Sequence, residues 1–180
     1  MGFRQKGLTL IELMVTLAVL AIVASIAIPN FRTLINNNQS VALGEDLAGA
    51  LHYARSEAVK RSASVTLCGS ADGTTCNGTW TDHWIVIVDS ATSESAPLPL
   101  VGAVLRQWEP PVDGATITAK RGTTNVGFVR FTGKGLLAAS GSGAIEINSS
   151  VSGCTANSGR TVKIGIAGVL RVTHGSTGCS

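Results

Sequence analysis

The sequence predicts an α+β fold in which one long N-terminal helix packs on antiparallel β-sheet, and three observations predict it. An apolar run fills residues 8–28, an amphipathic stretch continues it to about residue 61, and the remainder breaks into short strand-like segments separated by turn residues. Behind the apolar run, 180 residues leave room for one ordinary globular domain. Charged residues make up 14% of the chain and glycine 21 positions, a balance that favours turn-rich β structure over a helical bundle.

From Leu8 to Ile28 there are 21 residues with one charge, Glu12. As a helix rising about 1.5 Å per residue, that run crosses a hydrocarbon core. Arg4 and Lys6 precede it and hold that end cytoplasmic, so the bulk of the chain lies outside. The run is too long for the core of a secretory signal, and Ile28-Pro29-Asn30-Phe31 offers no small-residue cleavage site. A plain anchor leaves Glu12 unexplained, because an acid near the end of a spanning helix needs a partner.

Pro29 lies just past the apolar run, where its missing donor favours a bend. Beyond it, Leu43, Leu47, Leu51, Ala54 and Ala58 recur on one helical face, with Glu45, Arg55, Glu57 and Arg61 off it. The helix should end near residues 61–63, with Gly44 and Gly49 as weak points.

Eight strands are then expected: Ser64–Cys68, His83–Asp89, Val101–Trp108, Ala115–Ala119, Asn125–Phe131, Ala144–Asn148, Thr161–Ile166 and Leu170–Thr173. They form one curved sheet or two small ones against the second half of the helix. Four cysteines allow three pairings. Cys68 with Cys76 closes a short Gly/Thr/Asp loop, and Cys154 with Cys179 staples the C-terminal end, so two local disulfides are expected, and with them an oxidising compartment. His52, His83 and His174 are isolated from the cysteines and from one another, which argues against zinc.

No nucleophile, base and orienting group assemble, and no phosphate-loop, HExxH or GxSxG motif occurs, so the chain is not expected to be an enzyme or to carry a metal or cofactor. Trp80, Trp84 and Trp108 are expected in the core of the β domain.

The segment Lys6-Gly7-Leu8-Thr9-Leu10-Ile11-Glu12-Leu13 resembles the prepilin signal of type IV pilins. The resemblance implies a membrane peptidase that cuts after Gly7 and methylates the new N-terminus at Leu8, where most of the family has Phe. It makes Glu12 the fifth residue of the mature chain. Val65-Thr66-Leu67-Cys68, Cys76, Trp80 and His83-Trp84-Ile85-Val86 extend the likeness to the GspH/FimT family of minor pilins. It implies a pilin-like fold with residues 1–7 as leader, 8–28 as the membrane and filament-core half of the helix, 29–63 as its amphipathic half, and 64–180 as the head. It also implies a subunit at or near the tip of a type IV pilus that helps start assembly. The expected partners are the prepilin peptidase, other minor pilins, the major pilin and, before assembly, the inner membrane with the head in the periplasm. A pseudopilin of type II secretion and a DNA-binding pilin for uptake are the rival readings.

The rival involving DNA rests on charge. Residues 45–113 hold nine acids and four bases, whereas after Asp113 seven bases face the single acid Glu146. A hairpin with the loop Ala167-Gly168-Val169 would put Val162, Ile164, Ile166, Leu170 and Val172 on its inner face. Lys163 and Arg171 would then point outward as diagonal neighbours, with Arg160 and His174 near the far end. Such a patch could hold two or three phosphates. DNA-binding relatives carry Gly-Arg-x-Arg where this chain has Gly168-Val169-Leu170-Arg171, so DNA is the less favoured partner and an acidic face of a neighbouring minor pilin the preferred one.

Overall fold

The computed structural model describes residues 9–138, 143–155, 157–175 and 178–179. Helix α1 spans Leu10–Arg61 and runs unbroken through Pro29. Thr9 caps its start, and Ser62, in the left-handed region at φ 50°, caps its end by donating its backbone N–H to the carbonyls of Ala58 and Val59. Its two halves live in different surroundings. From Leu10 to Phe31 nearly every side chain is exposed, while Ser40, Leu43, Gly44, Leu47, Ala48, Leu51, Ala54 and Ala58 form a buried stripe at helical spacing.

That stripe packs on two antiparallel sheets. The strands are β1 (Val65–Ser70), β2 (His83–Asp89), β3 (Val101–Trp108), β4 (Ala115–Arg121), β5 (Thr124–Asn125), β6 (Phe128–Phe131), β7 (Ile145–Val151), β8 (Arg160–Ile164) and β9 (Leu170–His174). One sheet has the order β3-β2-β1-β6 and the other β5-β4-β7-β8-β9. Leu47, Leu51, Val65, Leu67, Phe131, Ile145, Ile147, Val162 and Ile164 meet in the common core. The first sheet is covered on its other face too, where Cys68, Ile85 and Ile87 form a second small core with Val101 and Phe128. Burial on both faces explains why residues 84–88 of β2 read as a continuous apolar run rather than as alternation.

The stretch expected as one strand over Asn125–Phe131 is two. Val126 still donates its N–H to Ala119 in the second sheet, whereas Phe128 pairs with Cys68 in the first, so the chain crosses between sheets at Gly127. The last hairpin also differs from expectation. Strand β8 stops at Ile164, which pairs with Leu170, and Gly165–Val169 form a five-residue loop closed by Gly165 N–H to Val169 O and Gly168 N–H to Gly165 O. Gly168 turns at φ +71° against the Gly135 carbonyl, a place with no room for a Cβ. Ile166 therefore leaves the inner face and is 66% exposed.

Gly44 marks the closest approach of α1 to the second sheet. A Cβ there would overlap both Cβ and Cγ of Arg160. Gly44→Val should destabilise the head by about 1–3 kcal/mol through overpacking. Urea midpoints of the full chain in detergent test this, and an unchanged midpoint would mean that helix and sheet separate there at little cost.

Candidate functional site

Glu12 stands at the exposed end of α1. The Glu12 N–H donates to Thr9 Oγ1 at 3.3 Å, and the Thr9 N–H returns a bond to Glu12 Oε2 at 3.4 Å, a reciprocal capping box. The carboxylate thus lies over the positive end of the helix. None of the most apolar stretch of α1 is buried within the chain, and the helix is long and apolar enough to cross a membrane. Nothing in the head touches Glu12 among the described residues. Its exposed setting leaves the carboxylate available to groups outside the chain. Gly7 and Leu8 lie outside the described residues.

The cysteines form two disulfides, Cys68–Cys76 and Cys154–Cys179. The first ties the 71–82 loop across β1. Within that loop Asp72 accepts bonds from the N–H groups of Thr74 and Thr75 and from the side chains of Thr75, Ser70 and Asn77. The backbone bonds from Thr74 and Thr75 are the largest influence holding its carboxyl well below the usual range. The second disulfide brings the chain end beside Ser40, in the middle of α1. Close by, Asn36 Nδ2 donates to Ser152 O, and Asn37 Oδ1 accepts the Thr155 N–H at 2.8 Å. These helix amides latch the turn after β7 just above the exposed half of α1, and sequence reasoning did not single them out.

The basic patch is corrected. Arg160 is 7% exposed, lies along α1 at Gly44, and donates through Nη1 to the carbonyls of Asn157, Ser158 and Gly159, with Glu45 3.9 Å from its Nε. It shares strand parity with Val162 and Ile164, so its side chain goes inward. Lys163 and Arg171 do point outward, but the longer loop sets them directly opposite each other rather than diagonally. Lys163 donates to Glu146 Oε1 at 2.6 Å. The three residues do not form one cationic surface, and the phosphate-holding capacity expected of them shrinks accordingly.

The tryptophans are structural. Trp80 Nε1 donates to Val126 O, Trp84 Nε1 to Trp80 O, and both rings are buried, while half-buried Trp108 meets Tyr53 edge-on with Arg106 4.6 Å over its face. Among the described residues, no three His, Cys, Asp or Glu side chains cluster as a metal site would.

Residues 43–168 match the family described as "Type II transport protein GspH". The chain belongs to this GspH family. Residues 2–28 match the prokaryotic N-terminal methylation motif, which covers Gly7, Leu8 and Glu12. Two crystal structures of the Pseudomonas aeruginosa PAO1 type IV minor pilin FimU share the fold of this GspH-family chain. One is 20% identical at a TM-score of 0.60, covering 79% of this chain and 96% of FimU. The other, a second crystal form, is 22% identical at a TM-score of 0.55, covering 77% and 98%. No curated protein matches. The GspH-family protein thus has a pilin-like fold.

Proposed function

We propose that this chain is a minor pilin, a structural subunit at or near the tip of a type IV pilus that helps to initiate pilus assembly. The observation that carries this reading is the division of α1: a bare apolar half whose one charge is Glu12, and a half sheathed by a two-sheet head. An apolar helix with no partner among the described residues of its own chain is suited first to a bilayer and then to a bundle of like helices. On this reading residues 1–7 are a leader removed by prepilin peptidase after Gly7. Residues 8–28 cross the inner membrane and later join the filament core, residues 29–63 carry the head of residues 64–180, and that head waits in the periplasm. The two disulfides suit that compartment.

A pseudopilin of type II secretion is the second reading, favoured by the family match over residues 43–168. DNA uptake is weaker, because Arg160 is buried and Lys163 is shared with Glu146. Sheared surface filaments should contain the chain starting at Leu8 and carrying one added methyl, read by intact mass, and deleting the gene should deplete those filaments. A chain retaining Met1, or starting beyond Asn30, would refute the processing. Unchanged filaments with a block in protein secretion would favour the pseudopilus.

A further inference from the structure

The end of the head farthest from Glu12 carries an apolar patch made by three separate segments. Val59 comes from the last turn of α1, Leu136 from the loop after β6, and Ile166 and Val169 from the β8–β9 loop, at 51, 42, 66 and 58% exposure. They are neighbours through their backbones. Arg55 donates from Nε to Gly135 O at 2.9 Å and from Nη2 to Ala167 O at 3.2 Å, and Leu137 N–H donates to Ile166 O. A Cβ on Gly135 would lie 2.7 Å from Val59 Cγ2, so loop and helix are in contact. The patch is held in shape before anything binds it, which reduces the ordering cost of binding.

Its rim is cationic. Lys60 and Lys134 are exposed beside Val59 and Leu136, and Glu57, the acid on this stretch of helix, is buried and bonded to Lys60 and Arg61. The opposite end of the head has the complementary chemistry. There Glu109, Pro110, Pro111 and Val112 adjoin Asp46 of α1, with Asp113 next in the chain, so that exposed Val112 and two prolines sit among three exposed carboxylates and the single guanidinium of Arg106. Apolar centre with basic rim at one pole and apolar centre with acidic rim at the other make a heterologous, head-to-tail contact, the kind that builds a filament when its rotation does not close into a ring.

We propose that the upper pole around Val59, Leu136, Ile166 and Val169 is a docking surface for the lower pole of another pilin head, one bearing an apolar loop ringed by carboxylates as this chain's own lower pole does. Opposite charges on the two rims select the partner and its orientation, and the apolar centre contributes the burial. This rests on the pilin reading above and adds that the chain does not end the filament. A subunit at the extreme end would leave this patch in water.

The test places a photo-reactive phenylalanine at Ile166 of the full chain in the cells that make it, with Thr118 on the outer face of β4 as control. Irradiation should link Ile166, and not Thr118, to the head of a chain with a prepilin-type N-terminus, through a peptide from its acidic lower pole. Lys60→Glu with Lys134→Glu should lower that yield by about tenfold, since like charges across an interface repel. Both variants must reach filaments or membrane at wild-type level. Adducts to lipid, equal yields at both positions, linkage to a pilin away from its lower pole, or indifference to the charge reversal would each overturn the docking surface. If the unmodified chain is missing from filaments altogether, the pilin reading falls instead.

Discussion

Arg130→Ala should unfold the head under conditions where the wild type is fully folded, because it breaks an ion pair sealed from water. Arg130 Nε donates to Asp89 Oδ2 at 2.7 Å, and the two side chains are 1% and 0% exposed. Asp89 also accepts from Thr66 Oγ1 and from the N–H groups of Ala91 and Leu100. The other guanidinium nitrogens donate to the carbonyls of Glu94, Ala96 and Leu98. One pair therefore organises the whole 90–100 loop, a Ser/Pro-rich segment with little core of its own. Truncating Arg130 leaves a buried carboxylate and three carbonyls without their partner. Breaking such a pair costs about 3–5 kcal/mol, against a total stability of about 5–15 kcal/mol for a domain.

Arg130→Lys keeps the charge but loses the fork, and should fall between the two. The same pair sets a pH limit. Burial acts to raise the Asp89 carboxyl, but the bonds from Leu100, Thr66, Ala91 and Arg130 outweigh it and hold it below its ordinary value of 3.8. A lowered carboxylate adds stability that is complete above the unfolded value and is lost as pH falls through the folded one. The Asp89 contribution should therefore persist through neutral and mildly acid pH and fade only below about pH 4. Urea unfolding of the full chain in detergent, followed by tryptophan fluorescence, measures both effects. An Arg130→Ala midpoint close to wild type would mean that the loop is not held through this pair.

The long helix was legible because its signal is local: hydropathy for the first half, helical spacing of Leu43, Leu47, Leu51, Ala54 and Ala58 for the second. Strand positions were legible for the same reason, with ends that moved by a few residues. Arg160 was misread by giving its charge more weight than its parity, although the period of two that placed Val162 and Ile164 inside also placed Arg160 there. What makes that burial possible is the missing side chain of Gly44, a long-range complement that neither segment advertises. The Asp89–Arg130 pair was invisible for a related reason. Arg130 counted toward a basic C-terminal third, and only the pairing of β6 with β1, beside β2, brings it to Asp89. The crossing at Gly127 likewise depends on which sheet each neighbour joins, not on the apolar pattern of residues 125–131.

Glu12→Ala should leave the head as stable as wild type and abolish most incorporation into filaments. The first half follows from distance along the helix: the buried stripe of α1 begins at Ser40, so among the described residues the head has no contact to lose at residue 12. The second half rests on the proposed assembly, in which Glu12 enters a bundle of like helices. It is the only charged side chain from Leu8 to Phe31, and packing that stretch among apolar helices removes its carboxylate from water. An unpaired buried charge costs several kcal/mol, and on the pilin reading the ammonium created by cutting after Gly7 is the opposite charge available to it in the bundle. On that reading the requirement is met in one axial register and violated in others, so the pair would select the register of an incoming subunit. Removing Glu12 removes the selection and strands the ammonium, and incorporation should fall by about tenfold or more. Glu12→Gln, which keeps a hydrogen-bonding side chain without the charge, should recover part of it. The measurement is the ratio of filament to membrane chain at equal expression, with the urea midpoint as control for folding. A wild-type ratio in Glu12→Ala would remove the register role, and a fallen midpoint would show that residue 12 acts on the head after all.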